Sequence, residues 1–326
     1  MKLFSFFRRT LLLSGIGLVL AAGSPASAAP IQVALGDTIS VETLAYVIAL
    51  ERAKDRGVDY KLTSFAKEDL AIQAVVNGQA DIGIATPYSV VQKSKAPLRG
   101  LFQVTRAVFF PVADKSYKTW KDLDGQPFAF HARGTGTEAI GNIIAAREKI
   151  TFGQRTYLAG SENRIVAMIN GQVKATIVDL ANKNLLMAKA GDRFHVLPGL
   201  KETPSDEILF ARTDWVSKNQ KSADIIVEEF HRLWQEMAKD PGVIERERVK
   251  RTLLKDLPKE VLADVTKFYT EAVQNGIFHD GGSPASTELD FQFYTQAGQM
   301  AGNASDHKVA DYWDFGPLER AKKKIK

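Results

Sequence analysis

One tripeptide occurs twice in this chain with the same pattern on both sides, and that duplication narrows the folds open to it. Asn77-Gly78-Gln79 returns as Asn170-Gly171-Gln172. Leu70, Ala71, Ala74 and Val75 recur at helical spacing before the first copy, and Ile165, Met168 and Ile169 before the second. Each glycine stands where a helix ends and a residue tolerant of positive φ is favoured. A short apolar strand follows each time, Asp81 to Ala85 and Ala175 to Val178, and then a polar turn, Thr86 to Ser89 and Asp179 to Asn182. Counted from the tripeptide, Thr86 matches Asp179 and Ser89 matches Asn182.

The correspondence extends upstream. Ile31 to Leu35 reads as a strand, Gly36-Asp37-Thr38 as a polar turn, Val41 to Ile48 as an amphipathic helix and Tyr60 to Phe65 as a second strand. In the other copy these are Phe128 to Phe130, Ala132 to Thr137, Glu138 to Lys149 and Thr156 to Leu158. Strand-helix-strand-helix-strand builds a parallel sheet with right-handed crossovers. The expected fold is therefore α/β with two lobes, each a mainly parallel sheet flanked by helices, and a ligand cleft between them. Open α/β sheets bind ligands beyond the carboxyl ends of their strands, where the polar turns lie. The expected division is 29–107 for the first lobe, 108–209 for the second, and 210–326 for a return to the first. The β-rich runs Leu101 to Phe110 and Glu207 to Ala211 are expected to cross between lobes. Beyond Lys218 the chain reads as helical. Its stripes, Phe230-Leu233-Trp234-Met237 and Val261-Val265-Phe268-Tyr269-Ala272, are expected to pack on the first lobe.

The N-terminus predicts export. Lys2, Arg8 and Arg9 precede an apolar run from Leu11 to Ala22, and Ala26-Ser27-Ala28 offers a small-x-small cleavage site. A signal peptide over 1–28 is expected, with a periplasmic mature chain starting at Ala29. The competing reading, a membrane anchor, needs roughly 20 apolar residues, and Gly23 and Pro25 interrupt this run too early. Arg8-Arg9 leaves general and twin-arginine export both open. There are no cysteines, which excludes disulfides, thiolate nucleophiles and Cys-ligated metals. Lys+Arg number 43 against 38 Asp+Glu, and three of the basic residues fall in the leader, so the mature chain is nearly balanced. Only Lys322-Lys323-Lys324 forms a basic cluster, which reads as a solvated tail and not as a nucleic-acid surface.

Three segments carry a family resemblance: Leu44 to Glu51 (LAYVIALE), Gln73 to Ile84 (QAVVNGQADIGI) and Trp120 to Gln126 (WKDLDGQ). Their order and spacing resemble the ABC-importer binding proteins for nitrate, sulfonates and taurine, with relatives that bind thiamine-pyrimidine precursors. The resemblance covers the mature chain to about residue 210. It implies a type II periplasmic-binding fold, hinge closure around a solute, and delivery to an inner-membrane permease with its ATPase. Two positions depart from the family pattern. Lys174 replaces the acid of the second Gly-Gln-x-Asp-Ala, and the usual Gly/Ser-rich turn reads His131-Ala132-Arg133-Gly134-Thr135-Gly136-Thr137-Glu138.

The candidate ligand residues follow from placement at the strand ends: Asp37, Thr38, Thr86, Tyr88, Ser89, His131, Arg133, Thr135, Gly136, Thr137, Asp179 and Asn182. The Arg133 to Glu138 loop opens a helix, whose free N–H groups and dipole attract an anion, with Arg133 as a bidentate partner. It is expected to hold the most electronegative end of a solute. The competing account is that Arg133 is a surface charge, the threonines cap the helix, and His131 is packed. Tyr88 is expected as an aromatic wall. Asp179 and Glu207, if they face the cleft, imply an amine, guanidine or hydroxyls on the solute. Gly134 to Ala139 also spells G-x-G-x-x-A, but an exported protein meets no nicotinamide pool.

No metal spacing, nucleophile elbow or P-loop stands out, and no cofactor is expected. The leading function is a monomeric, turnover-free receptor for a small polar or anionic solute of an ABC importer. The alternatives are the receptor of a tripartite (TRAP-type) transporter and an enzyme of the thiamine-pyrimidine branch on the same fold.

Overall fold

The computed structural model describes residues 29–65, 67–133 and 135–325. The signal-peptide expectation lies outside the described residues, as does Gly134. Among the described residues no helix is long and apolar enough to cross a membrane.

Among the described residues ten strands and thirteen α-helices follow one another in this order: β1 (Ile31–Leu35), α1 (Leu44–Asp55), β2 (Tyr60–Ser64), α2 (Glu68–Val76), β3 (Ile82–Ala85), α3 (Tyr88–Ser94), β4 (Leu98–Gln103), β5 (Phe110–Asp114), β6 (Phe128–Phe130), α4 (Gly136–Glu148), β7 (Arg155–Tyr157), α5 (Ser161–Ile169), β8 (Ala175–Val178), α6 (Leu180–Ala190), β9 (Phe194–Val196), β10 (Ile208–Arg212), α7 (Thr213–Lys218), α8 (Gln220–Lys239), α9 (Val243–Arg251), α10 (Lys259–Ala263), α11 (Val265–Gln274), α12 (Pro284–Gln296) and α13 (Gly316–Lys324). They form two sheets, ordered β2-β1-β3-β10-β4 and β7-β6-β8-β5-β9. The two orders match position by position, as the duplicated sequence requires.

In each sheet the first three strands are parallel, and the fourth, β10 or β5, runs antiparallel to both neighbours. The fourth strand is in each case the one that arrives from the other lobe, so it enters against the local direction. The repeat extends to the turns. Gly78 has φ +73° and Gly171 φ +75°. Gln79 N–H donates to Ala74 O at 2.8 Å, and Gln172 N–H to Ala167 O at 2.9 Å, closing the helix ends in the same way. A side chain at Gly78 would also meet Arg212 Nη1 at 2.6 Å.

The crossings differ in detail from the sequence expectation. β4 and β10 pair with each other inside the first sheet. The segments that pass between sheets are 104–109 and 197–207. They form an antiparallel ribbon: Val104 N–H donates to Glu207 O at 2.8 Å, Asp206 N–H to Thr105 O at 2.9 Å and Ala107 N–H to Pro204 O at 2.9 Å. The apolar run Glu207 to Ala211 thus crosses only at its first residue, because Ile208 onward finds β3 and β4 to pair with.

The first sheet is covered on one face by α1 and α8, burying Val33, Leu35, Leu44, Phe230 and Trp234. The second is covered on one face by α5 and α6, with Val112, Met168 and Leu186 enclosed. The stripe on α8 packs as expected. In the later stripe Val265, Tyr269 and Ala272 are buried on α11, whereas Val261 lies on α10 and is 43% exposed. Tyr269 also caps α1, donating to Val41 O at 2.8 Å and accepting from Ala45 N–H at 2.9 Å.

Candidate functional site

The carboxyl ends of β1, β3, β6 and β8 carry the turns that the sequence marked, and the crossing ribbon closes one side of the space between them. The dominant chemistry there is acidic. On the first lobe, Glu68 in the opening turn of α2 accepts Thr86 N–H at 3.1 Å, and Thr86 Oγ1 donates to Asp206 O at 2.6 Å. Gly36 permits this approach: a Cβ there would lie 3.1 Å from both Glu68 Cα and Glu68 Cγ. Asp37 follows in the same turn and accepts Thr38 N–H at 2.6 Å. Asp206 and Glu207 stand on the crossing ribbon itself.

Burial pushes all of these carboxyls upward, and their mutual repulsion adds to it. Asp206 rises to about 8, through burial first and then the charges of Glu68 and Asp37. Glu207 is raised well above the carboxylate range by burial, then by Glu68, Asp206 and Asp37. Glu68 and Asp37 are raised by burial too, partly offset by their hydrogen bonds to Thr86 and Thr38. Glu42, just before α1, is raised by burial and then by Asp179, which reaches it from the other lobe as a charge and as a hydrogen-bonding partner.

The second lobe supplies Asp179, which caps α6 by accepting Asn182 N–H at 2.8 Å and the Asn182 side-chain amide. Behind it lies Arg164, fully buried, a residue the sequence reading passed over because an arginine on a helix face reads as a solvated charge. Its guanidinium donates to Leu158 O at 3.0 Å, Ser161 Oγ at 2.9 Å and Ile177 O at 2.9 Å, and its Nε is buried without a partner. Burial brings its pKa down to about 10 against the opposing charges of Asp179 and Glu162. His131 accepts Gly160 N–H on Nδ1 at 3.2 Å, and burial with the Arg164 charge lowers its pKa, keeping the ring neutral.

Other predicted residues are placed differently. Tyr88 does not wall the cleft. Its ring packs with Tyr294 and Tyr312, and its hydroxyl sits between Asp290 and the Trp313 indole. The cause is local: Tyr88 opens α3, whose first turn faces α12. Arg133 is exposed, with its guanidinium 4.8 Å over the Tyr157 ring. Thr135 Oγ1 donates to Ala132 O at 2.8 Å and Thr137 Oγ1 accepts His131 N–H at 3.0 Å, so both hydroxyls close their own loop. What faces the start of α4 is a carboxylate of the chain: Asp206 Oδ1 lies 3.8 Å from where a Gly136 Cβ would project. Ser89 lines a separate groove at the rim, of about 330 Å³, with Gln92, Lys93, Glu138 and the segment 297–301. This groove lies apart from the carboxylate cluster.

The lobes touch across the space. Gln299 Nε2 donates to Thr135 O at 2.7 Å, and Asn184 Nδ2 hydrogen-bonds Glu271 Oε2. Among the described residues no three His, Asp or Glu side chains are placed to hold a metal ion.

Residues 46–243, more than half of the chain, match the sequence signature of the family described as "NMT1/THI5 like". The chain belongs to the NMT1/THI5-like family. No curated protein matches it in sequence. Solved structures do share its fold. A protein of Bordetella bronchiseptica RB50 is 20% identical with a TM-score of 0.70, covering 91% of this chain and 98% of that one. The putative periplasmic sulfonate-binding protein SsuA of Methylobacillus flagellatus KT is 16% identical at TM-score 0.66, covering 92% and 95%. The periplasmic nitrate-binding protein NrtA of Synechocystis PCC 6803 is 13% identical at TM-score 0.64, covering 91% and 89%. This NMT1/THI5-like chain therefore has a periplasmic-binding-protein fold, with its acids where such a fold presents strand ends to a cleft.

Proposed function

We propose that this protein is the solute receptor of an ABC importer, working in the periplasm as a two-lobed clamp that binds and releases its solute unchanged. The observation that carries this reading is the apposition of two matching sheets across a two-segment ribbon, with polar and charged side chains from both lobes facing one another. Ligand binding shifts such a clamp toward its closed form by mass action. The family and the receptors named among the structural neighbours support the same reading.

In this reading a leader over 1–28 is cleaved and the mature chain is a monomer. The lobes divide near 107 and in the ribbon just ahead of β10, with the C-terminal helices joined to the first lobe. A closed clamp passes its solute to a membrane permease driven by an ATPase. Within the cleft, Asp37, Thr86 and Asp179 are the sequence-predicted residues that stand with the acids. The test is small-angle scattering of the mature protein with and without the solute released from natively purified material. Contraction on adding the solute, recovered chemically unchanged, is expected. A chemically altered product would favour an enzyme on this fold, and no contraction would remove the clamp.

A further inference from the structure

Resting on the receptor reading, we propose that the solute is an organic cation whose charge sits on nitrogen, an amine, amidine or guanidine, held by Asp37, Glu42, Glu68, Asp206, Glu207 and Asp179. Elsewhere on this chain acids are matched by arginines: Arg52 bridges Glu236 and Glu247 at 2.9 Å each, and Arg56 reaches Glu229 at 2.6 Å. None of the six cleft acids makes an ion pair among the described residues. Arg164, which faces Asp179 and Glu162, has its Nη groups on backbone carbonyls and Ser161. Arg133 lies outside, on Tyr157.

Two further observations call for a cation in this space. Glu207 keeps some accessible surface as a residue, yet its Oε2 is buried and accepts no hydrogen bond. A buried acceptor left unpaired costs the full desolvation of that group. Asp179 of the second lobe adds to the upward push that burial gives the Glu42 carboxyl of the first lobe, so the two acids favour a proton or another positive group in the space they share. An N–H-rich cation answers both, donating to several carboxylates at once. A bare metal ion needs its oxygens at one point, and among the described residues no three His, Asp or Glu side chains are so placed, whereas an extended cation with several N–H groups can reach acids spaced along the cleft. A bound cation would place charges of opposite sign across the hinge, where like charges now face one another.

The proposal is tested on the full mature protein by isothermal calorimetry at pH 8. The probes are 1,4-diaminobutane, 4-guanidinobutylamine, ethanesulfonate, nitrate and zinc chloride. Binding of at least one of the two nitrogen cations is expected, with an observed heat that varies with buffer ionisation enthalpy because protons are released. Asp206→Asn and Asp179→Asn should each weaken that binding by about tenfold or more. Asp206→Asn should also melt higher than the parent without ligand, since it removes a repelled charge; a residue with only a structural role would lose stability with binding. Binding of ethanesulfonate or nitrate alone would overturn the cation and leave the receptor reading standing. Binding of zinc alone, or of no probe, would overturn it as well. A natively bound solute that is neutral or anionic by mass spectrometry likewise overturns the cation, whereas no bound solute and no scattering change would sink the receptor reading itself.

Discussion

Asp290 of α12 holds Ser205 of the crossing ribbon with both carboxylate oxygens, Oδ1 accepting the Ser205 N–H and Oδ2 its hydroxyl, each at 2.6 Å. Both residues are fully buried. Tyr294 adds a hydrogen bond to Ser205 O at 2.8 Å, and Gln103 Nε2 one to Ser205 Oγ at 2.6 Å. The ribbon is thus anchored one residue before Asp206. Asp290→Ala leaves several buried donors unpaired, and is expected to cost about 2–4 kcal/mol of stability. Urea denaturation of the mature protein measures this.

Stability without ligand should fall as pH rises. Asp206, at about 8 in the folded chain, binds its proton more tightly folded than unfolded. Asp290, raised to about 6 by burial, acts in the same direction, as do Asp37, Glu42, Glu68 and Glu207. Their stabilisation is fully present below the ordinary carboxylate range and is lost as pH climbs through the raised values. The melting temperature is expected to be lower at pH 8 than at pH 5. Surface acids with depressed values, such as Asp55, exert their opposite effect only at more acidic pH.

Arg133→Ala is expected to change affinity for the natively bound solute by less than about threefold, roughly 0.6 kcal/mol. The side chain is exposed and stacked on Tyr157. Calorimetric titration checks it. A larger loss would return the anionic end of a solute to that loop.

Arg164→Met removes three donors from beneath the second lobe. It should cost about 2–4 kcal/mol, because Leu158 O and Ile177 O lose their partners in a buried site. Hydrogen exchange should show the loss confined to the second lobe.

The pair Asn184→Ala and Gln299→Ala deletes two hydrogen bonds between lobes. At about 1 kcal/mol each, these bonds hold the two lobes together. The double variant should have a larger radius of gyration by small-angle scattering and release ligand faster.

Much of this was legible in the sequence. The repeat could be read because helix termination is local chemistry: Gly78 and Gly171 need positive φ wherever the surrounding chain goes. The strand ends followed, and with them the turns that carry Asp37, Thr86 and Asp179. The acidic character of the cleft was not legible as a whole. Glu42 and Glu68 resemble ordinary residues at helix starts, and Asp206 lies far along the chain; only the strand order brings them together. A usable signal was present, since both glutamates fall in turns that follow a first-lobe strand. Tyr88 failed because its position relative to the strand end was right while its side-chain direction depended on α12. Arg164 failed because its partners are backbone carbonyls, which leave no trace in residue type.

Asp206 and Glu207 lie on the ribbon about which the lobes would turn. A pivot that itself carries ionisable acids reports its own occupancy. Compensating those two acids relaxes repulsion at the fulcrum, where a small rotation becomes a large displacement at the distant rim. Ligands that touch only one lobe but neutralise the fulcrum should therefore still close the jaws, and variants at the fulcrum should alter how far the jaws travel as well as how tightly they grip.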